Sequence, residues 1–221
     1  MKHQAREART RSRNKAAATV AVIATMAVAV WLWLPRRAEV DLERVARDSL
    51  AAAVSRNATE LLQLMSPEEV KALKLDSARL GAFLNFWSTK LSGFKPDGGV
   101  EVMAFPESYA VHGVQRFAHE DGRRTSLAFQ VHGTDDHPIV LPVINGLLLS
   151  AMMADFPADK ARPSGRERAR FMATYLGDHA RELEATGLSG TMVNFEPGQL
   201  RYQTWEQYRR WCADHTRPRG E

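Results

Sequence analysis

One cysteine, Cys212, stands in 221 residues, so no intramolecular disulfide framework exists and stability must come from burial. The chain also lacks a Cys-x-x-Cys pair and a glycine-rich phosphate loop, which removes the common redox, zinc-ribbon and nucleotide-binding signatures. Ser126 and Ser150 have no nucleophile-elbow context. No internal repeat or long low-complexity stretch is present, which excludes solenoids and arrays. No cofactor and no metal are implied.

Net positive charge is lacking outside the first residues, although the pI of about 9.4 suggests otherwise. Lys2, Arg6, Arg9, Arg11, Arg13 and Lys15 against Glu7 give residues 1–15 a net +5, while the whole chain is +4. The remaining residues therefore carry −1. A nucleic-acid-binding domain needs its cations on the folded surface, so nucleic acid is not an expected partner.

Behind this basic tail, Ala16 to Leu34 has no charged residue and includes Val20, Ile23, Trp31, Trp33 and Leu34. As a helix it reaches about 28 Å, close to the hydrocarbon thickness of a bilayer. Two indoles at its end suit the headgroup interface, and Pro35-Arg36-Arg37 marks the return to water. A cleaved signal peptide is the other reading. It fits less well, because the small-x-small triplet Ala27-Val28-Ala29 lies inside the apolar run. The expectation is a single-pass transmembrane helix over 16–34. The surplus of cations before the span places the N-terminus in the cytoplasm and the rest in the periplasm or the exterior. The lipid bilayer is the first expected partner.

The residues from 38 onward predict an α+β domain over 38–158 with a C-terminal helical extension over 159–221. Leu42, Val45, Ala46, Leu50, Ala53 and Val54 follow a helical period over 39–55. Asn57 with Glu60, Ser66 with Glu69, Ser164 with Glu167 and Thr204 with Gln207 have capping-box spacing. In the second of these, Pro67 suits the first helical position and Glu69 is expected to reach back to its own cap. Leu80, Phe83, Leu84, Trp87 and Leu91 form a further helical stripe, and Ala169, Met172, Leu176 and Leu183 another. Between them lie strand candidates at 100–105, 109–118 and 125–132, the last two flanking the hairpin signal Glu120-Asp121-Gly122-Arg123. Ile139 to Ala154 is a second uncharged run. Pro142 and Asn145-Gly146 interrupt it, which favours a buried strand to Ile144 followed by a core segment over a second membrane span. Thr191 to Phe195 is a last strand candidate.

A helix near 39–55, a short Asn57-to-Met65 helix, and Ser66-Pro67-Glu68-Glu69 opening another resemble the start of NTF2-like domains. That resemblance covers about residues 39–155. It implies N-terminal helices packed on a curved antiparallel sheet around a cone-shaped cavity, and it maps no catalytic residue onto this chain.

Candidate chemistry is sparse. A hairpin that pairs Phe117 with Leu127 also sets His112 opposite His132, and the two imidazoles then mark a pocket. Two are too few for a structural zinc site. Asp135-Asp136-His137 before Pro138 is explained by turn chemistry. Cys212 beside Trp211 reads as a core thiol. Asn57-Ala58-Thr59 fits a glycosylation tripeptide, but its capping role suffices. The expected function is a membrane-anchored envelope protein, a non-enzymatic module that binds a protein partner or associates with itself. The alternative is a small-molecule-binding or enzymatic domain using an NTF2-like pocket near His112 and His132. A periplasm-active reporter fused after Glu221 is expected to be active in cells, and an inactive one would mean reversed insertion or a second span.

Overall fold

The structure, a computed structural model, describes residues 42–105, 110–133, 138–157, 163–196 and 199–215. Residues 42–221 form one compact unit. Its elements run α1 (42–54), α2 (Ala58–Leu64), α3 (Pro67–Leu73), α4 (Ser77–Lys90), β1 (Lys95–Pro96), β2 (Glu101–Phe105), β3 (Ala110–Ala118) and β4 (Arg124–His132). They continue with β5 (Ile139–Leu141), α5 (Val143–Ala154), α6 (Gly165–Asp178), α7 (Ala180–Ala185), β6 (Gly190–Glu196), β7 (Gln199–Thr204) and α8 (Trp205–Asp214).

The class is α+β, with helices and antiparallel sheets, but the expected architecture needs correction. No helix among the described residues is long and apolar enough to cross a membrane. The longest with printed bounds, α4 and α6, have 14 residues each, about 21 Å against the roughly 30 Å of a bilayer core. The expected transmembrane segment, with Ala16, Val20, Ile23, Trp31, Trp33 and Leu34, lies outside the described residues. The C-terminal part is not purely helical either, because β6 and β7 form a second sheet there. The run 139–154 divides at Pro142 into β5 and the 12-residue α5, so the strand ends three residues earlier than expected.

The main sheet has five strands. β3 pairs with β4 and β4 with β5, while β1 and β2 share the other side of β3. Residues 111, 113, 115 and 117 of β3 face the helices, as do 125, 127, 129 and 131 of β4. On that face Trp87 of α4 meets Phe117 edge-on at 6.1 Å. Gly113 lets α1 lie against the strand, since a Cβ there would stand 3.0 Å from both Ala46 and Leu50. Phe83, Phe129, Leu50, Leu127, Ile144 and Leu147 fill the space between sheet and helices with almost no exposure. The C-terminal elements cover the far side of α4 and α5. Trp205 stacks on Phe83 at 6.2 Å and donates from Nε1 to the Leu188 carbonyl. A side chain at Gly190 would collide with the backbone of Gln203 and Thr204, so the β6–β7 ladder closes there only around glycine.

α5 is the most deeply placed helix, with nine of its 12 residues buried. A helix start in the interior leaves backbone N–H groups that need acceptors. Its N-cap, Pro142, has no side-chain acceptor. Glu69 of α3 supplies one, its two carboxylate oxygens each accepting from an α5 amide, Val143 and Ile144, at 2.9 Å. The sequence expectation for Glu69 is thereby corrected. Ser66 caps α3 through the Glu68 amide, and Glu69 serves a different helix. The cause lies just upstream, where Ser66 donates its N–H to Val140 and Met65 bridges Val140 in parallel. Both segments then turn into helices, α3 from Pro67 and α5 from Val143.

Glu69 is fully buried, and burial lifts its pKa to about 7 against the lowering effect of the two amide donors. The folded state therefore holds a proton between its ordinary value of 4.5 and about 7 that the unfolded chain releases. Stability from this group is fully present below 4.5 and is lost as pH rises to 7. Urea unfolding should show the advantage of wild type over Glu69→Gln shrinking across that window by up to about 3 kcal/mol. A flat difference would mean that the amides hold the group ionised. Glu69→Ala, which leaves two buried donors unpaired and a void, should cost about 3–5 kcal/mol by the same assay.

Candidate functional site

The sheet face opposite the helices carries the residues that sequence reasoning singled out. His112 and His132 both lie on it, but they are not directly opposite. Ala110 pairs with His132 and His112 with Gln130, while Phe117 pairs with Thr125 rather than Leu127. The turn sets this register. Gly122 at φ +90° closes a short loop in which His119 donates to the Arg123 carbonyl and Gly122 to that of His119. Asp121 accepts from the Arg123 amide. The resulting two-residue slip keeps both imidazoles on one face as diagonal neighbours, about 7–8 Å apart between backbone positions. Partial burial lowers both pKa values, and the charge of His112 lowers that of His132 further. The Phe105 ring sits 4.8 Å from His112. This pair faces away from the helices, so it does not line the cone expected of an NTF2-like pocket.

Among the described residues, no group of three or more His, Cys, Asp or Glu is placed to hold a metal ion. Asp135, Asp136 and His137 lie outside those residues. Cys212 is buried, and burial pushes its thiol up to about 12, the opposite of what a nucleophile needs. Ser150 is buried on α5, its carbonyl accepting from Thr125. Ser126 lines an open cavity of about 230 Å³ with Asp97, Arg116 and Arg124, whose two cations already face Glu101 at 2.8 Å and Asp97 at 3.8 Å. Asn57 acts as a helix cap, accepting from the Glu60 amide.

One polar cluster escaped the sequence. Lys90 at the end of α4 contacts Glu182 of α7 at 2.8 Å, and His179 Nδ1 contacts the other oxygen of Glu182 at 2.8 Å. Asp155, after α5, stands 3.7 Å from His179 Nε2, and the Tyr175 ring lies 4.4 Å from the imidazole. The two basic groups lower the pKa of Glu182. Burial, with the nearby carboxylates, raises that of Tyr175. Four elements meet at this clasp, which fastens the C-terminal segments to α4 and α5. Tyr175, His179 and Glu182 stand at helical spacing, but Lys90 and Asp155 lie far from them in sequence, so spacing alone does not reveal the cluster.

The two edges of the main sheet differ. The Met65–Val140 bridge and the Ser66 N–H close the β5 edge. The β2 edge has no strand beyond it among the described residues. β2 pairs with β3 in unbroken register from Glu101–Val114 to Phe105–Ala110. Four of its five residues are exposed, with Met103 at 47 %. It contains no Pro, Lys or Arg. Its single charge, Glu101, is paired with Arg116. Every second residue of such a strand turns its N–H and C=O outward, and among the described residues neither a bulge in its ladder nor a further strand blunts this edge. This open strand is the candidate interaction site.

Comparison of the chain with protein-family models, with curated proteins and with solved structures returned no match.

The environment of Cys212 sets an expectation for its chemistry. At pH 8 the folded protein should resist alkylation by iodoacetamide, and mass spectrometry should show complete labelling only in denaturing urea. Rapid labelling of the native chain would contradict the burial.

Proposed function

We propose that this chain is a non-enzymatic binding or assembly module, held at the cell membrane by its N-terminal segment with the domain facing the periplasm or the exterior. The observation that carries the module reading is the open β2 edge. A strand in regular register with exposed residues such as the apolar Met103 is suited to strand addition, in which main-chain hydrogen bonds supply affinity and side chains supply selectivity. The membrane location is supported by the sequence alone, through six cations followed by the uncharged residues 16–34. The pocket-based alternative has less support. The interior between sheet and helices is filled by Phe83, Phe129 and Leu50, and His112 and His132 face the other way.

The test is a photo-reactive residue placed at Met103 and, as a control of similar exposure, at Leu149 on α5. In intact cells Met103 should give a discrete cross-linked protein product and Leu149 should not. Met103→Lys, which puts a charge on the edge, should abolish strand addition without changing the circular dichroism spectrum. Equal labelling at both sites, or none at Met103, would sink the reading.

A further inference from the structure

We infer that the outer face of the main sheet carries a soft-metal site, in which His112, His132 and Met103 bind one copper(I) ion. The site goes beyond the binding-or-assembly reading and does not rest on it. Strand register brings the three side chains together. Met103 of β2 pairs directly with His112 of β3, and directly opposed residues share a face with Cβ atoms about 5 Å apart. His132 of β4 pairs with Ala110, two residues from His112. It is therefore the diagonal neighbour of His112 on the same face, about 7–8 Å away. β3 lies between β2 and β4, so an ion above His112 is one strand spacing, about 4.8 Å, from each flanking strand. With zinc as the guide, a metal of this size bonds imidazole nitrogen at about 2 Å and sulfur at about 2.3 Å. The remaining gap is within the length of a Met or a His side chain.

The donor set selects the ion. A thioether with two imidazoles suits copper(I), whereas hard cations take carboxylate and carbonyl oxygens. Zinc sites are built from Cys, His and carboxylates, and no group of three such residues is placed to hold a metal among the described residues. The positions around the pair on this face are mostly apolar, with Val114 opposite Ala128 and Ile139 opposite His132. Glu101, the carboxylate of β2, is engaged by Arg116 at 2.8 Å. A singly charged, weakly hydrated ion fits such a surface better than a divalent one.

The imidazoles are also prepared for ligation. Both are partly buried, and burial lowers the pKa of each, with the charge of His112 lowering that of His132 further. The neutral ring is the form that binds a metal. The same interaction shows the two rings close enough for the charge of one to be felt by the other. Phe105 braces the ring of His112 at 4.8 Å with a tilt of 55°. Met103, 47 % exposed, presents its sulfur to an arriving ion.

The experiment titrates the full-length chain, in mild detergent and without oxygen, with copper(I) against a chromophoric copper(I) chelator. The wild type should bind one ion per chain. His112→Gln, His132→Gln and Met103→Leu should each weaken binding at least about ten-fold, with an unchanged circular dichroism spectrum. X-ray absorption at the copper edge should show one sulfur at about 2.3 Å beside the nitrogens, and Met103→Leu should remove it. Cys212 is not expected to supply that sulfur, because it is buried and its thiol pKa is pushed up to about 12. Absence of binding, undiminished affinity in either histidine variant, or a sulfur signal that survives Met103→Leu each overturns the inference. The module reading fails separately, since a chain that binds no copper yet cross-links a protein from Met103 in cells keeps its binding edge.

Discussion

The domain is organised around the carboxylate of Glu69 at the start of α5. α5 runs along β4, and its body is fixed there by the Thr125 hydroxyl on the Ser150 carbonyl and by Arg123 on that of Ala154. Its beginning is buried, and an unpaired amide there is costly. One side chain from a helix 74 residues earlier resolves two such amides at once. The solution has its own tension. Burial favours the neutral acid and the helix start favours the anion, so the same group stabilises the fold and leaves it sensitive to proton concentration.

That interaction also shapes the sheet. Glu69 can reach α5 only because Met65 and Ser66 lie alongside Val140, and this alignment is what closes the β5 edge. At the other side, β1 and β2 divide the length of β3 between them, with β1 only two residues long. The sheet is therefore finished where the helical layer folds over it and unfinished at β2. The asymmetry is a product of how the core is tied, and it leaves one strand whose backbone groups on the far side meet no strand among the described residues.

Local signals were legible in the sequence, and tertiary ones were not. Ser164 with Glu167 and Thr204 with Gln207 form complete capping boxes as expected, because all the atoms involved lie within one turn. Ser66 with Glu69 has the same spacing and a different outcome, decided by a strand far along the chain. β7 went unread, since Leu200 and Tyr202 are the only large apolar residues in its six. The stripe expected as one helix through Leu183 breaks at His179, two residues after Gly177, where φ −104° and ψ 13° leave the helical region. His179 is held there by Glu182 and Lys90, contacts that periodicity does not encode. The histidine pair fell between these cases. The alternation put both imidazoles on one face, while the turn around Gly122 moved their register by two.

The distance between Glu69 and α5 also bears on how the chain acquires its shape. A polypeptide emerging N-terminus first exposes α1 to α4 long before residues 143 and 144 exist. During that interval Leu80, Phe83 and Trp87 have neither sheet nor α5 to lie against. Contacts this far apart in sequence slow folding and prolong the exposure of apolar surface. The helical half of the domain thus has apolar surface left to cover until the last strand of the main sheet and α5 arrive.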